Sequence, residues 1–118
     1  MKVRDVAELL DCEILLGDDG SLEREVKTAC GSDMMSDVLA YVKDQSVLLT
    51  GLVNAQVVRT ADMMDMLCIV FVRGKTPPED TVEMAAEHGI ALLSTNFGMF
   101  ESCGRLYKAG LQGGEWTR

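Results

Sequence analysis

The chain has 118 residues, nearly half of them apolar and a quarter charged, with a formal net charge of −8. That length makes one domain, large enough to bury a core without disulfides or a structural metal. The acidic balance argues against nonspecific nucleic-acid binding, which depends on cationic contacts to phosphates, and no stretch approaches the roughly 20 apolar residues of a membrane span. The opening Met1-Lys2-Val3-Arg4-Asp5 lacks the apolar run of a signal peptide, so a cytoplasmic protein is expected. Much of the acid lies in residues 5–25 and 79–101, which reads as a solvated surface, with a basic partner as the sharper alternative.

Val3, Val6, Ala7 and Leu10 recur at helical spacing and predict a short amphipathic first helix. Cys12–Leu16 reads as a strand, Gly17-Asp18-Asp19-Gly20 as a turn, and Glu25–Cys30 as a second strand. Gly31-Ser32-Asp33 ends that strand and offers caps for a helix whose apolar stripe is Met35, Val38, Leu39 and Val42.

From there a pattern repeats three times: a buried strand, a polar or glycine loop, then a helix. The strands are Ser46–Thr50, Leu67–Val72 and Ile90–Ser94. The helix after the first starts near Asn54, with Val57, Ala61 and Met64 on its inner face. Thr76-Pro77-Pro78-Glu79 reads as a cap, a proline in the first helical position and a capping-box glutamate, and His88-Gly89 ends that helix. The last helix is expected from about Phe97 to Ala109 with Phe100, Cys103, Gly104 and Tyr107 inward. Residues 1–112 form the expected domain and 113–118 a flexible tail, from which Trp116 would dock on a neighbour if it docks at all. Strand–loop–helix alternation predicts an α/β fold with a largely parallel sheet. In such folds ligands collect at the carboxyl ends of the strands.

Several local motifs carry less than they promise. Gly74-Lys75-Thr76 resembles the end of a phosphate-binding P-loop, but Ile69 stands where that motif needs its first glycine, and Pro77 and Pro78 remove two amides from the helix start. His88 is the only histidine, so the usual acid–base and zinc constellations have no second member, and its place at a helix end is structurally favourable. The four cysteines, Cys12, Cys30, Cys68 and Cys103, show no metal or redox spacing and read as reduced small hydrophobes; a metal would need ligands converging from distant positions. Met34-Met35 and Met63-Met64, with Met66 and Met99, read as core or dimer interface rather than as an adaptable binding surface.

The polar residues of the loops are more informative. Asp33, Thr50, Asn54, Arg73, Ser94, Thr95 and Asn96 would gather at one rim of a parallel sheet. Short hydroxyl and amide groups beside helix N-termini can hold an anion or a nucleotide. They can equally cap those helices, and the sequence leaves both readings open. No catalytic residue, metal ligand or cofactor follows from the sequence.

The stretches Gly31-Ser32-Asp33-Met34-Met35-Ser36-Asp37-Val38, Val47-Leu48-Leu49-Thr50-Gly51 with Asn54, Ile69-Val70-Phe71-Val72-Arg73-Gly74 and Leu92-Leu93-Ser94-Thr95-Asn96-Phe97 with Phe100-Glu101, closed by Gly104-Arg105-Leu106-Tyr107, together resemble the DRTGG domain family. The string that names the family is absent. The resemblance covers most of the chain and implies a three-layer α/β/α fold with a mixed, largely parallel sheet, similar to the N-terminal domains of HPr kinase/phosphorylase and of Mur ligases such as MurF. It implies a non-catalytic regulatory module. Relatives are joined to CBS domains or phosphotransacetylase, and stand-alone versions often accompany iron-hydrogenase subunits. The related kinase keeps its P-loop in another domain, in keeping with the failed motif here.

Two expectations follow. The first is a regulatory module that binds a nucleotide or small anionic metabolite at the loop rim and signals to a partner protein. The second is a ligand-free assembly subunit of a redox or hydrogenase-type complex. An enzyme is the weakest reading, because nothing pairs two carboxylates in a site; a raised pKa on Asp33 or Asp37 would revive it. A homodimer is expected, since so small an α/β domain leaves a helix face or sheet edge to cover.

Overall fold

The three repeats of strand, loop and helix join the N-terminal elements in one sheet with helices on both faces. The computed structural model describes residues 1–41 and 46–113. In chain order the elements are α1 (Val3–Leu9), β1 (Glu13–Leu16), α2 (Asp19–Leu22), β2 (Thr28–Gly31), α3 (Met35–Tyr41), β3 (Ser46–Thr50), α4 (Ala55–Met63), β4 (Cys68–Phe71), α5 (Glu79–His88), β5 (Ala91–Ser94) and α6 (Met99–Lys108). The sheet order is β1-β5-β4-β3-β2, parallel throughout except for β1, which runs antiparallel along β5. Among the described residues no helix is long and apolar enough to cross a membrane.

The central strands β3, β4 and β5 are buried along their whole length, as continuous apolar runs require when both faces are covered. Alternate residues feed two cores. Val47, Leu49, Val70 and Leu93 pack with Val3, Val6 and Leu106 from α1 and α6, while Leu48, Ile69, Phe71 and Leu92 pack with Val38, Val57, Ala61 and Ala85 from α3, α4 and α5. This is the expected three-layer α/β/α arrangement.

Several local expectations are corrected. β2 is shorter than Glu25–Cys30, because Glu25 is instead bridged to Lys2, and Val26 donates its amide to Met1. Cys12 stays outside β1. Half of the expected 17–20 turn is helical: Asp18 caps α2 by accepting from the Ser21 amide at 2.7 Å. On α3, Met35 and Val38 are buried but Leu39 is exposed, and Val42 lies outside the described residues. Met35 and Met66 join the core, whereas Met34 and Met63 point to solvent. Pro78 takes the cap position itself, so Thr76 caps nothing and Glu79 is the first helical residue; Gly89 closes α5 in the left-handed conformation, as a helix-ending glycine does.

The largest correction concerns α6. Its buried residues are Ser102 and Leu106, while Phe100 and Tyr107 are 92% and 69% exposed, and Gly104 is exposed too. Only Cys103 of the expected inward set is partly covered. An amphipathic stripe shows that a face is apolar; it does not show which face the sheet covers. After α6, Gln112 pairs with the outer edge of β2 through the Ala29 amide, and Trp116 lies outside the described residues.

Candidate functional site

Parallel pairing brings the predicted rim together. Thr50 is in register with Phe71, and Phe71 with Ser94, so the loops that follow these residues leave the sheet at one edge. Arg73 follows Phe71 by two residues on that edge. The same edge receives Asp33 from the β2–α3 loop.

Asp33 organises the β3 side. Its Oδ1 accepts from the Gly51 amide at 2.6 Å and from the Thr50 hydroxyl at 3.1 Å. Those bonds, led by the Gly51 amide and helped by nearby Arg73 and Lys75, hold the carboxyl below the usual carboxylate range. The shift is opposite to the raised pKa that would have favoured acid–base chemistry. Thr50 is fully buried and also accepts from the Leu52 amide, so its hydroxyl is committed to shaping the loop.

Arg73 lies across this corner. The turn Val72–Lys75 is closed by the Lys75 amide donating to the Val72 carbonyl, with Arg73 at φ 61° and Gly74 at φ 70°. Two successive left-handed residues suit glycine, asparagine or aspartate; an arginine there is strained. The loop holds it by two cross-links, from the Arg73 amide to the Phe97 carbonyl and from the Gly74 amide to the Thr95 carbonyl. The guanidinium lies over Gly51, where a Cβ would come within 2.2 Å of Nη2, and its distance to Asp33 Oδ2 is 3.9 Å. Nearly half of the Arg73 side chain remains exposed.

The β5 side differs. The Ser94 hydroxyl donates to the Lys75 carbonyl at 2.8 Å, and the buried Thr95 hydroxyl donates to the Leu10 carbonyl at 2.6 Å while accepting from the Phe97 amide. Both are structural ties. Asn96 is exposed beside Gly74, and Asn54 occupies the cap position of α4 without a side-chain bond to the helix. The seven expected residues therefore do share a rim. Arg73, Asn54 and Asn96 retain exposed polar groups there, and Lys75, which the sequence places only in an incomplete P-loop motif, joins them.

Elsewhere, burial raises all four thiols, Cys12 to about 12, so none is a ready thiolate. His88 Nδ1 lies 3.4 Å from Asp62 Oδ1 across α4 and α5. Among the described residues no three metal-ligating side chains converge. An apolar hollow of about 390 Å³ opens between α6 and the β2–β3 side of the sheet, lined by none of the expected rim residues.

No curated protein matches the chain. Among solved structures, the fold is similar to the crystal structure of the CBS and DRTGG domains of the regulatory region of Clostridium perfringens pyrophosphatase complexed with activator, diadenosine tetraphosphate, with a TM-score of 0.71 at 12% identity. The match covers 89% of this chain and 45% of that one, so this chain spans less than half of that regulatory region. Residues 5–109 match the DRTGG domain model, and the chain belongs to the DRTGG domain family.

Proposed function

We propose that this protein is a regulatory module that binds a nucleotide or small anionic metabolite at the rim around Arg73 and passes the signal to a partner protein. One observation carries the reading: Arg73 occupies a left-handed turn position at a conformational cost, and the turn holds its half-exposed guanidinium over Gly51, in the loop that leads to the start of α4. Backbone strain of that kind persists where surrounding structure enforces it, and it clusters at ligand sites. Arg73 and Lys75 supply cations, and helix N-terminal amides favour phosphate. The activator named for the pyrophosphatase regulatory region is a nucleotide, which supports the ligand class.

Thermal shift with ATP and with diadenosine tetraphosphate tests the reading. A ligand at 100 times its dissociation constant adds about 2.7 kcal/mol to stability. Arg73→Ala is expected to cut that gain to about 0.9 kcal/mol, since the lost charge-assisted bonds weaken binding by about 30-fold. Absence of any shift with either nucleotide, or a shift indifferent to Arg73→Ala, rejects the rim as the site.

A second reading, an assembly subunit of a redox complex, is favoured by the exposed rings of Phe100 and Tyr107 on α6. Co-purification of a redox partner that Phe100→Glu releases would support it.

A further inference from the structure

α6 carries two solvent-facing flanks. One is apolar: Phe100 and Tyr107, with Cys103 between them, wall the hollow of about 390 Å³ whose floor includes Ala29 and Leu49. The other is charged: Glu101 pairs with Arg105 at 3.0 Å, Arg105 lies over the Phe97 ring, and Lys108 stands toward the C-terminal end, beside a second hollow that Leu9 of α1 also lines. Gly104 lines both hollows and so marks the divide between them. It sits inside the helix, where glycine is less stable than alanine. A Cβ there would meet no atom within 4 Å, so packing within the described chain gives no reason for glycine. Close approach of a second backbone does.

We infer that α6 is a homodimer face, with two copies packing α6 against α6 antiparallel about a two-fold axis beside Gly104. Such an interface must be self-complementary, and the residue pattern is. Phe100 and Tyr107 are two helical turns apart and straddle Gly104; so are Glu101 and Lys108. An antiparallel two-fold lays like flank on like flank. Phe100 then meets Tyr107 of the second copy, and Glu101 meets Lys108 of the second copy. A parallel pair would press the apolar flank of each helix onto the charged flank of the other. The two rings together expose on the order of 300 Å², short of the about 800 Å² per partner in a standard interface. The second copy's helix must therefore also seat against the apolar hollow. This inference is independent of the ligand reading.

Sedimentation equilibrium on the full chain tests it. The expected mass is twice 12.9 kDa. Phe100→Glu and Tyr107→Glu replace exposed residues, so circular dichroism should stay unchanged. Each should raise the dimer dissociation constant by about 100-fold or more, since each contact is lost twice. Lys108→Glu should weaken the dimer, and the double variant Glu101→Lys/Lys108→Glu should recover it by restoring opposite charges. A monomer at the highest soluble concentration, or a dimer that Phe100→Glu leaves intact, overturns the interface. Failure of the double variant to recover the Lys108→Glu loss overturns the antiparallel register.

Discussion

The two halves of the loop rim carry similar residues and do different work. On the β5 half, Ser94 and Thr95 spend their hydroxyls on the Lys75 and Leu10 carbonyls, binding the rim to the rest of the domain. On the β3–β4 half, Asp33 and Thr50 brace each other and Gly51, while Arg73 is left half exposed in a strained turn. The comparison teaches that a cluster of polar residues at the ends of parallel strands is divided by burial. Groups with backbone carbonyls or amides in reach become structure, and those that project beyond the loops remain available to a ligand.

The sharpest way to break this division is at Thr95. Thr95→Val keeps the shape but strands the buried Leu10 carbonyl and the Phe97 amide, and should cost about 2 kcal/mol in urea denaturation. A loss under about 0.5 kcal/mol would mean that the β5 half is not the structural one. Asp33→Asn tests the brace on the other half. It should cost about 1 kcal/mol, a figure reduced because half of the side chain is in solvent.

The pH dependence follows from the lowered Asp33 pKa. A carboxyl held below its unfolded value stabilises the fold above that value and loses the contribution as pH falls through the folded one. The wild type should therefore keep its margin over Asp33→Asn down to about pH 4 and lose it progressively as the pH falls further. Equal margins at pH 7 and pH 3 would remove Asp33 from the account.

The smallest effect has the opposite sign. Arg73→Gly relieves a left-handed residue and should raise stability by about 0.5–1 kcal/mol while removing nucleotide binding. A variant that is destabilised would show that Arg73 belongs to the structural half after all.

Much of the fold is legible in the sequence. Ser46–Thr50 and its two successors are short apolar runs bounded by glycine, asparagine and threonine, and such runs become buried strands wherever helices can cover both faces. Less legible were features that depend on what lies opposite. The stripe of Phe100, Cys103 and Tyr107 has core-like spacing, yet Ser102 and Leu106 face the sheet, because the path from β5 sets the rotation of α6. Thr76 has the chemistry of a cap, but the chain enters α5 at Pro78. In the sequence Lys75 belongs only to an incomplete P-loop motif, and its closeness to Asp33 comes from the turn at Arg73 and Gly74.

By itself the sequence determined the alternation of strands and helices, the parallel sheet and the edge at which Asp33, Thr50, Arg73 and Ser94 would meet, since these follow from hydrophobic period and local turn chemistry. Only the tertiary structure decided which hydroxyls are consumed by carbonyls, which cation is left exposed and which flank of α6 stays uncovered. Those outcomes depend on distances of a few ångströms between segments far apart in the chain, and no local pattern encodes them.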